Sequence, residues 1–275
     1  MPHYDAAAFF IVAHMDDWQL FMNPQATWEM SSDTVKVIFI YTTGNDAGGD
    51  ENYWRANEEA AVRSIEFSKL HTDYTGGERG TVRINLRNIH RWSGGNTVCY
   101  FLRLPDGNVA GEGFISQGYQ SLRKLRSKDI SFIKALDQSS FYYGWQDFIC
   151  TLQQIIDLET KGIKEVRINY PETDPTLNPN DHSDHILTGQ AVEALPKYKQ
   201  YRPFSYIGYD LIHYPADLKN DDLFWKVGQF TVYDQTLYEL SKYSILKRAS
   251  STFISFCLRS ARFREIYDFK DRNGL

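Results

Sequence analysis

Short apolar runs, separated by polar loops, dominate the chain. AAAFFIVA (6–13) is continuously apolar and stops at acids, and TVKVIFIYTT (34–43) is β-branched and aromatic before the turn-prone GNDAGGD. Runs of this length without alternation read as strands buried on both faces. NYWRANEEAAVRSIEFSKL (52–70) changes to a helical period, with Ala60 and Ile65 on one side. Between 72 and 98 glycine, threonine, arginine and asparagine take over, which predicts loop or irregular surface. TVCYFLRLP (97–105) predicts another strand, closed by PDG, and 118–160 predicts helix in at least two pieces, 147–159 being the clearest. KEVRINYP (164–171) predicts a strand, HILTGQAVEAL (185–195) a helix, SYIGYDLIHYP (205–215) a further strand, and 223–268 one or more helices. Strands alternating with helices predict one α/β domain over residues 1–275 with a mostly parallel central sheet.

Composition narrows the function classes. Lysine and arginine number 30 against 35 aspartates and glutamates, a net charge of −5, and no basic block runs along the chain. Nucleic acid is therefore not an expected partner; the densest basic cluster, RKLRSK (123–128), reads as an exposed helix face. Cys99, Cys150 and Cys257 are widely spaced and form no CxxC pair, so neither a thiolate zinc site nor a disulfide framework is expected. A reducing cytoplasm fits that usage. The N-terminus lacks a basic leader region and reads as a buried strand rather than a signal peptide, and no apolar stretch approaches the ~20 residues that span a bilayer. Neither a P-loop lysine nor a GxGxxG pattern follows the first strand, which disfavours a nucleotide. Aromatic residues make up 15%, which fits either a rigid core with wet tyrosines or a pocket that stacks sugar rings.

Two groups could carry chemistry. His14, Asp16 and Asp17 follow the first predicted strand; His182, Asp184 and His185 lie between the strand at 164–171 and the next helix. Both stand beyond the carboxyl end of a strand, where open α/β sheets form sites. If the two strands are neighbours, the groups face each other. His14, Asp17 and His185 then make a two-imidazole, one-carboxylate set that holds a divalent metal, Zn2+ in first place, and leaves a position open. Asp16 is left over as a proton acceptor, and His182, as an imidazolium, as the group that steadies an oxyanion or protonates a leaving amine. Taken singly, the first group also reads as a polar loop with a capping aspartate, and the second as an N-cap or Asx turn at Asp184. Arg55 sits where the glycine-rich loop meets a helix and is a candidate for substrate contact; Glu58 reads either as its i,i+3 partner or as a solvated helix acid. His3, His71, His90 and His213 show no ligand pattern.

Together these marks resemble the PIG-L (LmbE-like) family of zinc-dependent N-acetylglucosaminyl deacetylases. AHMDDW (13–18) stands where that family has AHPDDE, and HSDH (182–185) where it has HxDH. TTGNDAG (42–48) resembles its TxGExG loop, Arg55 to Glu58 its R-x-x-E helix start, and LPDG (104–107) its LPDG turn. The resemblance spans about 6–195; no motif covers the extension from about 200 to 275. It implies a three-layer Rossmann-like sandwich with C-terminal additions. It also implies zinc on His14, Asp17 and His185, Asp16 as general base, His182 on the tetrahedral intermediate, Asp184 orienting that histidine or the loop, and Arg55 on the sugar. The implied reaction removes the N-acetyl group of an amino sugar. The expected substrate is a glycosylated secondary metabolite such as an antibiotic precursor, with no stable membrane insertion. Met15 replaces the motif's proline and Trp18 its glutamate; Trp18 is expected to pack, or to wall the substrate site. The competing classes are a metal hydrolase of another amide or ester and a non-catalytic carbohydrate-binding protein.

Overall fold

A computed structural model describes residues 3–70, 74 and 76–266. The first apolar run forms β1 (Ala6–Val12), followed by two short helices, α1 (Asp17–Phe21) and α2 (Gln25–Met30). Next come β2 (Val35–Thr43), α3 (Glu51–Ser68), β3 (Glu78–Ile84), β4 (Arg87–Gly94) and β5 (Thr97–Leu104). The middle holds α4 (Leu122–Ser127), a small hairpin of β6 (Ile133–Lys134) and β7 (Phe141–Tyr142), and α5 (Trp145–Glu159). β8 (Glu165–Pro171), α6 (Ser183–Glu193) and β9 (Arg202–Tyr206) precede the long α7 (Asn220–Ser241), α8 (Ile245–Cys257) and β10 (Phe263–Glu265).

The main sheet runs β10-β9-β8-β1-β2-β5-β4-β3. Its centre, β9-β8-β1-β2-β5, is parallel, and both ends are antiparallel. Every residue of β1 is buried, because the strand is covered on both faces. Ala8, Phe10 and Val12 face a layer with residues of α1, α3, α7 and α8, while Ala7, Phe9 and Ile11 face α4, α5 and α6. Period-two side chains thus serve two cores at once. This is the α/β, Rossmann-like sandwich expected. Among the described residues no helix is long and apolar enough to cross a membrane.

Two local expectations are corrected and two are refined. The region expected to be irregular at 72–98 contains the β3–β4 hairpin, turned at Asn85 and Leu86, both with positive φ. β3 is an edge strand with its side chains mostly exposed, so no apolar run marks it. The expected strand at 205–215 ends at Tyr206; Tyr209–His213 is a single 3-10 turn. The two helical pieces expected in 118–160 are present with a hairpin between them, and the stretch between the first two strands, open to helix or loop, holds α1 and α2. The basic stretch 123–128 does lie on α4, with Arg123 and Arg126 exposed. His71 and the last two residues of the expected 223–268 helices lie outside the described residues.

Candidate metal centre

β1 and β8 are neighbours, with Phe10 opposite Asn169, and β2 lies on the other side of β1. The chain leaves β1 in one direction and returns to it from the other, which makes the carboxyl end of β1 a topological switch point. Both candidate groups converge there.

After β1 the turn is tight. Asp17 Oδ2 accepts from the backbone amides of Ala13 at 3.0 Å and His14 at 2.8 Å, so the turn fixes the carboxylate that it carries. Across from it, His182 rather than Asp184 caps α6: its Nδ1 accepts from the Asp184 amide at 3.1 Å. His185 then enters one turn into the helix. Its Nε2 lies 3.0 Å from Asp17 Oδ1 and 3.1 Å from His14 Nδ1, and His14 Nδ1 lies 3.6 Å from Asp17 Oδ1. A tetrahedron with bonds of ~2.0–2.1 Å has edges of about 3.3–3.4 Å, so the three donors fit one small cation.

The outer contacts agree. His185 Nδ1 donates to Asp181 Oδ1 at 2.8 Å, which turns Nε2 toward the other two donors. Among the described residues His14 Nε2 is buried with no hydrogen-bond partner, its nearest carboxylates being Asp184 Oδ2 at 3.6 Å and Asp106 Oδ2 at 3.8 Å. A carboxylate behind each ligating imidazole is the usual support of a metal-bound histidine. Asp184 thus stands behind His14 and accepts from the Gly107 amide at 2.8 Å, with its backbone on His182.

Electrostatics separates the roles. Burial opposes charge on His185, but Asp17 and Asp181 outweigh it and push the imidazole up to about 10. His14 is raised for the same reason, burial being overcome first by Asp17. Asp17, despite its burial, is held well below the usual carboxylate range by His185 and His14. Asp16 goes the other way: burial and then the Asp17 charge push it up to about 6. Burial, followed by the His14 charge, pushes His182 down to about 3, so this ring is neutral near pH 7 and not the imidazolium expected. With Nδ1 accepting from an amide, its proton sits on Nε2, pointing toward Asp106 Oδ1 at 3.8 Å. His14, Asp106, His182 and Asp184 also lie close enough together for a cation. That set, however, would meet an N–H at His182 where a metal needs a lone pair.

Two expected substrate residues are not brought to this cluster. Trp18 is fully buried, packed on Phe39 with ring centroids 5.1 Å apart, and offers no surface to a ligand. Arg55 is exposed on α3 and pairs with Glu51 at 2.7 Å; Glu58 turns inward to a buried pair with Arg103, at 2.6 Å to each oxygen. Other residues join the site without having been singled out. Asp106 stands inside LPDG and Asp181 directly before HSDH, so motif context could have found them. Asn45 Nδ2 lies 3.4 Å from Asp16 Oδ1 and from the Tyr233 hydroxyl, and the Tyr209 ring centroid is 5.3 Å from that of His185. No motif links Tyr209 or Tyr233, both beyond residue 200, to the site.

The fold can be matched to solved structures. A deacetylase triple mutant, Orf2*T, of the teicoplanin biosynthetic pathway superposes with a TM-score of 0.53 at 10% identity, over 95% of this chain and 99% of that one. The chain shares the fold of that deacetylase over nearly its whole length. The zinc inhibited form of teicoplanin deacetylase Orf2 gives 0.49 at 9% identity over 91% and 90% of the two chains. The A40926 pseudoaglycone deacetylase Dbv21 gives 0.47 at 11% over 90% and 87%. No family model and no curated protein sequence matches.

Proposed function

We propose that the protein is a divalent-metal-dependent hydrolase that removes the N-acetyl group of an N-acetylglucosamine-type sugar carried on a larger aglycone. One observation carries this reading: His14 Nδ1, Asp17 Oδ1 and His185 Nε2 converge within 3.0–3.6 Å, and Asp16, raised to about 6, adjoins them. The likeness of the fold to a deacetylase of the teicoplanin biosynthetic pathway supports it.

His14, Asp17 and His185 would hold the ion, zinc by the character of the donors. When bound, the ion supplies Lewis-acid activation of a water and of the amide carbonyl. Asp16 takes the water's proton; a carboxylate poised near 6 is ionised at pH 7 yet basic enough to accept it. His182 donates from a neutral Nε2–H to the oxygen that gains charge, a hydrogen bond preorganised by the Asp184 amide on its other nitrogen. Asp16, protonated in the first step, stands as the donor to the departing amine. Residues 6–195 carry this chemistry, and the part beyond 200 walls the site through Tyr209 and Tyr233.

The test is acetate release, with and without added zinc, from N-acetylated amino sugars that are free or linked to large aglycones. Zinc-dependent acetate release is expected, and more from the linked sugars. Absence of stoichiometric divalent ion together with no acetate release from any member would overturn the reading.

A further inference from the structure

Beside the metal centre lies a cavity of about 660 Å³ between α4, α6 and the loop at 109–110. Its wall includes Arg123, Arg126 and Ser127 of α4, and Ser183, Ile186 and Gln190 of α6. Ser183 falls between His182 and Asp184, and its amide donates to Val109 O at 2.9 Å, so the turn that carries the site also forms the cavity wall.

The arginines here are unlike most others of the molecule. Arg87, Arg103, Arg167 and Arg264 are each held by a carboxylate. Among the described residues, Arg123 donates only to the Ala110 carbonyl and Arg126 has no polar partner. Lys124 and Lys128 add charge to the same six-residue stretch, 123–128. The nearby acids are engaged elsewhere: Asp129 accepts from Ser127 Oγ, and Glu112 from Asn108 Nδ2. Asp181 reaches the cavity wall, but its side chain is fully buried and turned to His185, Asn178 and the Tyr209 amide. In a chain of net charge −5 this is a concentrated cationic recess. An exposed guanidinium at a flat surface binds anions weakly, but two at i,i+3 in a concavity can meet a planar or tetrahedral oxyanion with several donors.

We propose that this recess is an anion subsite: the substrate carries a carboxylate or phosphate, held by Arg123 and Arg126, while its acylated amine reaches the metal centre. Only the link to the reacting end rests on the hydrolase reading; the anion site stands on its own geometry. Ile186 and the exposed Val109 give the same recess an apolar edge for the adjoining ring or stem.

Calorimetric titration of the metal-loaded full chain separates the two. The probes are N-acetylglucosamine, its 6-phosphate, N-acetylmuramic acid and inorganic phosphate. At least one anionic sugar is expected to bind tenfold or more tightly than the neutral one. The R123Q/R126Q variant should erase that preference, and Lys128→Gln, outside the recess, should keep it. Preference for the phosphate or for the carboxylate sugar identifies the group. Arg126→Gln alone, which breaks no internal bond, should cut the preference at least threefold and serves if the double variant does not fold. Equal binding of neutral and anionic sugars by the natural chain, no binding of any probe, or a preference that survives both variants overturns the proposal. Anion-selective binding without acetate release upholds the subsite and defeats the hydrolase reading; acetate release without anion selectivity does the reverse.

Discussion

Asp17 and His185 stand 3.0 Å apart, yet different reaches of chain hold them in place. Asp17 is fixed within its own turn, by the amides of Ala13 and His14. His185 is aimed by Asp181, and Asp181 is held in turn by Asn178 at 2.6 Å and by the amide of Tyr209 at 3.3 Å. Gly208 presses against that carboxylate so closely that a Cβ there would lie 2.5 Å from both of its oxygens. One ligand is set by five consecutive residues; the other needs a segment past residue 200. A ligand set locally should tolerate change elsewhere in the fold, whereas a ligand set by tertiary packing should not.

Four experiments bear on this contrast, in falling order of effect. Removing a ligand on either side should abolish stoichiometric metal: His185→Ala and Asp17→Ala are both expected to emerge from dialysis without divalent ion, read by metal analysis. Asp17→Ala should also lose about 1–3 kcal/mol of metal-free stability in denaturant unfolding, because two buried amides lose their acceptor. Asp16→Asn leaves the ligands alone and should keep its metal while kcat for acetate release drops by about 10²–10⁴; retained turnover would remove Asp16 from the mechanism.

Asp181→Asn tests the distant support and should weaken zinc affinity by about 10–100-fold in competition titration. Gly208→Ala should shift it in the same direction by less, since Asp181 can move part-way. No change in either would mean that His185 is oriented without them. The dependence on pH is gradual rather than a single loss. Deprotonated Asp16 is the competent form, so activity should rise as pH climbs through about 6 and level off above it. Protons on His14 and His185 compete with the ion, so zinc affinity should strengthen by about tenfold per pH unit for each proton displaced.

The sheet centre was legible because β1 and β2 are buried on both faces and leave unbroken apolar runs. The β3–β4 hairpin was not, since an exposed edge strand needs no apolar pattern. At the site, the two motif groups were readable from residue type and from their positions after strands. Of the two roles open to Trp18 it is packing that holds, since α1 directs the ring inward onto Phe39; a motif position does not say which way a side chain turns. The Arg55–Glu58 pairing failed for a similar reason. Spacing allows the pair, but Glu58 has a stronger partner in Arg103, on a strand distant in sequence.

The sequence by itself determined the chemistry available: imidazoles and carboxylates in two short groups, each beyond a strand, with Asp17 already fixed by its own turn. Tertiary structure decided what that chemistry can do. Pairing β1 with β8 brought the groups together, and packing from beyond residue 200 aimed His185 through Asp181. Burial beside charged neighbours then raised Asp16 and kept His182 neutral. Local hydrogen bonds are encoded within a few residues, whereas burial and field at a point depend on every element packed around it.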